Sequence, residues 1–119
     1  MDIETYRSYC LAKPGVTEHF PFDDDVLVFK VMNKMFALAS VSTIPFRVNL
    51  KCEPDLALEL RELHDEIIPG YHMNKQHWNT VYFESGNLSD DFLVELIDKS
   101  YRLIVESLPK KRQAELSQL

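Results

Sequence analysis

The chain has 119 residues, 45% of them hydrophobic and 27% charged, which is the composition of a globular domain able to bury a core without metal or disulfide staples. No apolar run approaches the ~20 residues of a membrane-spanning helix, and the acidic start Met1-Asp2-Ile3-Glu4 lacks the layout of a secretory leader. The net charge of −6 works against nucleic-acid binding unless the cations are gathered on one surface, because such binding neutralises phosphates with Lys and Arg.

The first helix is expected from about Asp2 to Ala12, capped by Asp2, with Ile3, Tyr6 and Cys10 on one side. Lys13-Pro14-Gly15 ends it. Val16 to Asp25 reads as a loop with an aromatic plug, Phe20-Pro21-Phe22, and an acidic run, Asp23-Asp24-Asp25. Val26–Val31 and Met35–Val41 are rich in strand formers, and Met32-Asn33-Lys34 between them suits a hairpin turn in which Asn33 tolerates a left-handed backbone. Phe46 to Lys51 alternates, with Phe46, Val48 and Leu50 inward and Arg47, Asn49 and Lys51 outward. Pro54 opens a second helix favoured by Glu53 and Asp55, with Leu56, Leu60 and Leu63 as its apolar stripe. A short strand fits near Tyr71–Met73, and another from His77 to Glu84. The last helix starts at Asn87 or Ser89 and buries Leu93, Leu96, Ile97, Tyr101, Ile104 and Leu108 before Pro109 limits it.

The order helix, three strands, helix, two strands, helix implies an α+β fold: a two-layer sandwich whose antiparallel sheet carries the helices on one face. Residues 1–119 read as one domain, with 110–119 as a polar tail. Cys10 and Cys52 read as buried free thiols, since nothing like C-x-x-C is present. We expect a cytoplasmic protein with no cofactor and no membrane partner.

The runs Asp24–Val31, Lys34–Leu38, Val48–Pro54 and Pro69–Val81, above all Tyr71-His72-Met73-Asn74-Lys75 and His77-Trp78, resemble the YjbR-like (MmcQ/YjbR) family over nearly the whole chain. The resemblance implies a small sandwich similar to the secretion-chaperone and frataxin-like folds. It also implies DNA binding through a "double wing" of hairpins, and it carries no catalytic residues.

Two surfaces are candidates for function. One is the aromatic and amide segment with Tyr71, His72, Asn74, Lys75, His77, Trp78 and Asn79, suited either to stacking on bases or to core and turn duties. The other is the wet sheet face with Lys30, Arg47, Asn49 and Lys51, with Lys34 in the hairpin turn beside it, suited either to phosphates or to plain solvation. A nucleic-acid-binding module is one reading, and a self-associating protein-interaction domain, such as a homodimer paired through that face or a sheet edge, is the alternative. No catalytic motif is present. His72 and His77 have no carboxylate at metalloprotease spacing, so no metal site is expected.

Overall fold

A computed structural model describes residues 1–119. Helix α1 (Ile3–Leu11) begins where Asp2 accepts a hydrogen bond from the Thr5 amide at 2.8 Å, and Gly15, at φ +71, turns the chain into strand β1 (Val16–His19). Strands β2 (Val26–Val31) and β3 (Lys34–Ser40) form a hairpin whose turn residues Met32 and Asn33 both have positive φ, 48° and 70°. That is the turn whose twist matches a two-residue hairpin. Strand β4 (Arg47–Lys51), helix α2 (Pro54–Leu63), strands β5 (Ile67–Pro69) and β6 (Trp78–Tyr82), and helices α3 (Asp90–Ser107) and α4 (Lys110–Ser117) complete the chain. The six strands are antiparallel in the order β1-β2-β3-β4-β6-β5.

The α+β sandwich is as expected, and the helices lie on one face. Tyr6 and Cys10 of α1, Ala57 and Leu60 of α2, Leu93, Leu96, Ile97 and Ile104 of α3 and Leu116 of α4 share a core with Leu27, Phe29, Val48, Leu50 and Val81 of the sheet. A bulge at Phe29/Lys30 turns both Phe36 and Ala37 into that core. Ser100 of α3 fastens the layers, donating to Phe36 O at 2.5 Å and accepting from the Lys51 amide at 2.8 Å. No helix is long and apolar enough to cross a membrane.

Several details differ from the sequence reading. Val16–His19, read as loop, is an edge strand paired with β2. Phe20 and Phe22 form no plug; both are exposed, because the loop holding them leads away from the core. The short strand lies at Ile67–Pro69 and not near Tyr71, since Ile67 is the residue that reaches the core opposite Val81, and the chain turns at His72 with φ 59°. On α2 the inward positions are Ala57 and Leu60, while Leu63, one turn later, is exposed. The segment after Pro109 is a separate helix, docked by Leu116, and not a polar tail.

Candidate functional site: the open face of the sheet

Residues that stand opposite each other in an antiparallel pair point to the same face, and the pairings therefore define the face that carries no helix. It runs from Thr17 and His19 through Val28 and Lys30, Met35 and Leu38, then Arg47, Asn49 and Lys51, to Trp78, Thr80 and Tyr82. Its centre is dry: Val28, Leu38 and Trp78 form a second, small apolar cluster with Val26, Met35 and Met73 around it.

Met73 reaches that cluster because residues 70–77, between β5 and β6, fold back over the face. Three bonds hold them there. The Tyr71 amide donates to Thr80 Oγ1 at 3.0 Å, Thr80 Oγ1 donates to Asn49 Oδ1, and Asn49 Nδ2 donates to Tyr71 O at 3.2 Å. Within the loop, Lys75 Nζ donates to Gly70 O at 2.9 Å, the Gln76 amide donates to Asn74 Oδ1 at 2.9 Å, and the Trp78 amide donates to Asn74 O at 3.0 Å. Asn74 is thus a turn residue, as its type favours.

The candidates therefore divide by duty. Asn49, Asn74 and Lys75 are spent on the loop's own geometry. Trp78, 8% exposed, is packed with Val28 and Leu38 in the apolar cluster that Met73 borders, which leaves little of its ring for a base. Lys30, Lys34 and Lys51 have no carboxylate within ion-pair distance and lie at the end of the sheet where the β2–β3 turn and the 70–77 loop both project. Arg47 shares the face but lies four residues back along β4, about 13 Å at ~3.3 Å per residue. It donates to Tyr82 Oη at 3.3 Å, its guanidinium 5.7 Å from that ring's centre. His72 is exposed at the loop tip and His77 half-buried at its base.

One residue of this site escapes sequence reading. Arg61 holds the loop from the helix side, and no local pattern marks it. Tyr71 is 62% exposed, and its ring centre lies 4.0 Å from that of His72, so this pair, and not Trp78, is the aromatic surface that solvent meets.

The strands contribute no acidic residue to the face. Glu18 is the only Asp or Glu in any strand, and it points to the helix layer, where Arg7 of α1 grips it with bonds of 2.6 and 2.7 Å. Arg7 holds the Glu18 carboxyl below its ordinary range. No three His, Cys, Asp or Glu side chains gather closely enough to hold a metal ion. Both cysteines are buried and free. Burial pushes the Cys10 thiol up to about 12 and raises that of Cys52, so neither is a ready nucleophile at neutral pH. A cavity of about 10 Å³ between α2, α3 and the sheet, lined by Leu50, Cys52, Leu60, Asn79 and Leu96, has room for no more than one water.

The YjbR family model matches residues 11–103. The uncharacterized protein YjbR of Escherichia coli K12 is 37% identical over the full length of both chains. The uncharacterized protein YbdF of Escherichia coli O157:H7 is 39% identical over 92% of this chain and 89% of its own. The crystal structure of a Deinococcus radiodurans protein superposes with a TM-score of 0.90 at 40% identity, over 97% of this chain and 87% of that one. A Pseudomonas syringae crystal structure gives 0.75 at 28% identity, over 87% and 98%.

Proposed function

The chain belongs to the YjbR family, and we propose that it is a nucleic-acid-binding module that uses the open sheet face and holds mainly phosphates. One observation carries the reading: the strands place Lys30, Arg47 and Lys51 on a face to which no strand contributes an Asp or Glu, the nearest carboxylates being Asp25 and Glu66 just outside the strands at the far end from Lys30 and Lys51. The net charge of −6 then belongs to the helices and loops, which weakens the objection it raises against phosphate binding at this face. The β2–β3 turn with Lys34 and the 70–77 loop with His72 project beside it like two wings. No helix offers a base-reading cluster, so sequence preference is expected to be slight.

Fluorescence anisotropy of labelled oligonucleotides, from low to physiological salt, tests this. Lys30, Lys34, Lys51 and Arg47 supply three or four phosphate contacts, so log affinity is expected to fall with log salt at a slope of roughly −3, with Kd of about 10⁻⁴–10⁻⁶ M. Absence of binding at tens of micromolar protein and low salt removes the reading.

A second reading, self-association without nucleic acid or catalysis, is favoured by the outer edge of β1. This four-residue strand pairs on one side only, and alternate residues turn their N–H and C=O outward, whereas the opposite edge, β5, ends in Pro69, which has no amide proton to offer. The open face itself suits a partner copy less well, since Met73 already covers its apolar centre. Sedimentation that gives a clean 13.9 kDa monomer throughout the micromolar range removes this reading.

A further inference from the structure

Phosphate contacts alone do not discriminate between paired and unpaired strands; the aromatic groups on the face do. Resting on the nucleic-acid reading above, we propose that the face takes single-stranded nucleic acid in preference to duplex, with Tyr71 and His72 as the platform on which an unpaired base stacks.

Four observations converge on it. The Tyr71 ring is 62% exposed although its backbone is fixed at both the amide and the carbonyl, by Thr80 and Asn49. An exposed aromatic on a fixed backbone offers contact area and gives up little conformational entropy on binding. His72 lies against it at 4.0 Å, held by a left-handed backbone at φ 59° and tilted 51° to the Tyr71 ring, so the two rings are neighbours that offer an unpaired base more than one aromatic contact. The bonds to Asn49 and Thr80 set that surface over the middle of the β4–β6 pair, with Lys51 toward one end of the face and Arg47 toward the other. Finally, Arg47 lies 5.7 Å from the Tyr82 ring centre, which gives a second flat, cationic group along the same path.

This combination of a cationic track and exposed aromatic rings is how proteins bind single strands without reading their sequence, because every base has a face to stack. A duplex keeps those faces inside its own stack and offers only backbone and groove edges. It is also stiff, whereas a single strand bends past the 70–77 loop that stands on the sheet. Lys30, Lys34 and Lys51 serve either polymer. Tyr71 and His72 serve only the unpaired one.

The test compares labelled 15-mers of dT and rU with a 15-base-pair duplex in anisotropy titrations at low salt, using the full chain and its Tyr71→Ala and Tyr71→Phe variants. The single strands are expected to bind about tenfold more tightly than the duplex. Tyr71→Ala is expected to weaken single-strand binding about 5- to 100-fold, the loss of one stacked base, to leave duplex affinity unchanged, and to keep the salt slope. Tyr71→Phe keeps the ring and is expected to keep the affinity. Because Tyr71 is exposed, Tyr71→Ala leaves the core intact, and an unchanged thermal melt checks this. Equal affinity for all three polymers, with no effect of Tyr71→Ala, overturns the single-strand proposal and leaves the phosphate reading standing. No binding of any polymer overturns both. The dT and rU arms show whether the sugar matters.

Discussion

Arg61 Nε donates to Asn79 Oδ1 at 2.7 Å, joining the last turn of α2 to the start of β6. The same guanidinium donates to Trp78 O at 3.3 Å and to Lys75 O, so one side chain ties the 70–77 loop to the helix layer from below while Asn49 and Thr80 hold it from above. Removing it strips a partly buried amide and two carbonyls of a charged donor. Arg61→Ala is expected to cost about 2–3 kcal/mol in urea unfolding and to shift the emission of the single Trp to longer wavelength as the loop loosens over Trp78. Arg61→Lys is expected to recover less than half of the loss, since an ammonium cannot reach three acceptors in the fork geometry of a guanidinium. A variant as stable as the parent, with unmoved emission, contradicts the assigned role.

Tyr6 lies at the centre of the core with ring centres 5.4 Å from Phe29, 5.5 Å from Phe46 and 5.5 Å from Phe83, all edge-to-face. Its hydroxyl is buried and has no hydrogen-bond partner. The ring stabilises and the oxygen costs. Tyr6→Phe is therefore expected to raise stability by about 1 kcal/mol, where loss of a paired hydroxyl lowers it by a similar amount. Denaturant midpoints of the two chains decide it, and a loss of 1 kcal/mol or more refutes the unpaired hydroxyl.

The same helix makes the fold sensitive to alkali. Burial pushes Cys10 up to about 12 from an ordinary 9.0; burial and the Asp98 carboxylate, 2.6 Å away, push Tyr9 up to about 12 from 10.0; burial raises Tyr6 well above 10.0. All three keep their protons in the folded chain over a range in which the unfolded chain loses them. Their contribution is thus fully present below pH about 9 and is lost as pH rises toward 12, by at most about 1.4 kcal/mol per pH unit for each group. Tyr9 contributes the smallest share, since solvent reaches its half-buried ring and screens its partner. Urea midpoints measured from pH 8 to 11 are expected to fall ever more steeply, and Tyr6→Phe to lessen the fall; a flat profile contradicts the burial of these groups.

On the open face, Lys30→Ala with Lys51→Ala is expected to flatten the salt dependence of oligonucleotide binding by about 0.9 per lysine. Lys75→Ala is expected to leave that slope unchanged and instead to lower stability, because its ammonium is engaged with Gly70 O. If Lys75 changes the slope and the other two do not, the cations have been assigned the wrong way round.

Local chemistry made much of the fold legible. The Asp2 cap, the Asn33 turn, the alternation from Phe46 to Lys51 and Pro54 at a helix start all act within a few residues of themselves. What escaped depends on distant partners. Val16-Thr17-Glu18-His19 is too short and mixed to announce a strand and becomes one only because β2 offers its edge. The candidate site was legible as a list of residues but not as their duties. Asn49 serves a carbonyl 22 positions away, and Trp78 lies in a cluster bordered by a methionine whose loop path no periodicity encodes. The free cations Lys30 and Lys51 were legible because they sit on regular strands, where alternation decides the face, whereas Lys34, paired with the inward Val31, is exposed at the turn rather than set on the face.

The separation of acids from the open face has a practical edge. Set on an anion exchanger or an amine-coated sensor, the molecule settles with its helices against the support and turns the sheet outward. Coupled through lysine amines, part of the sample is fastened by Lys30, Lys34 and Lys51 and loses the face against the surface, and part is fastened by the exposed Lys110 and Lys111 of α4 and keeps it. The choice of attachment chemistry thus decides, before any ligand is added, how much of an immobilised sample is able to respond.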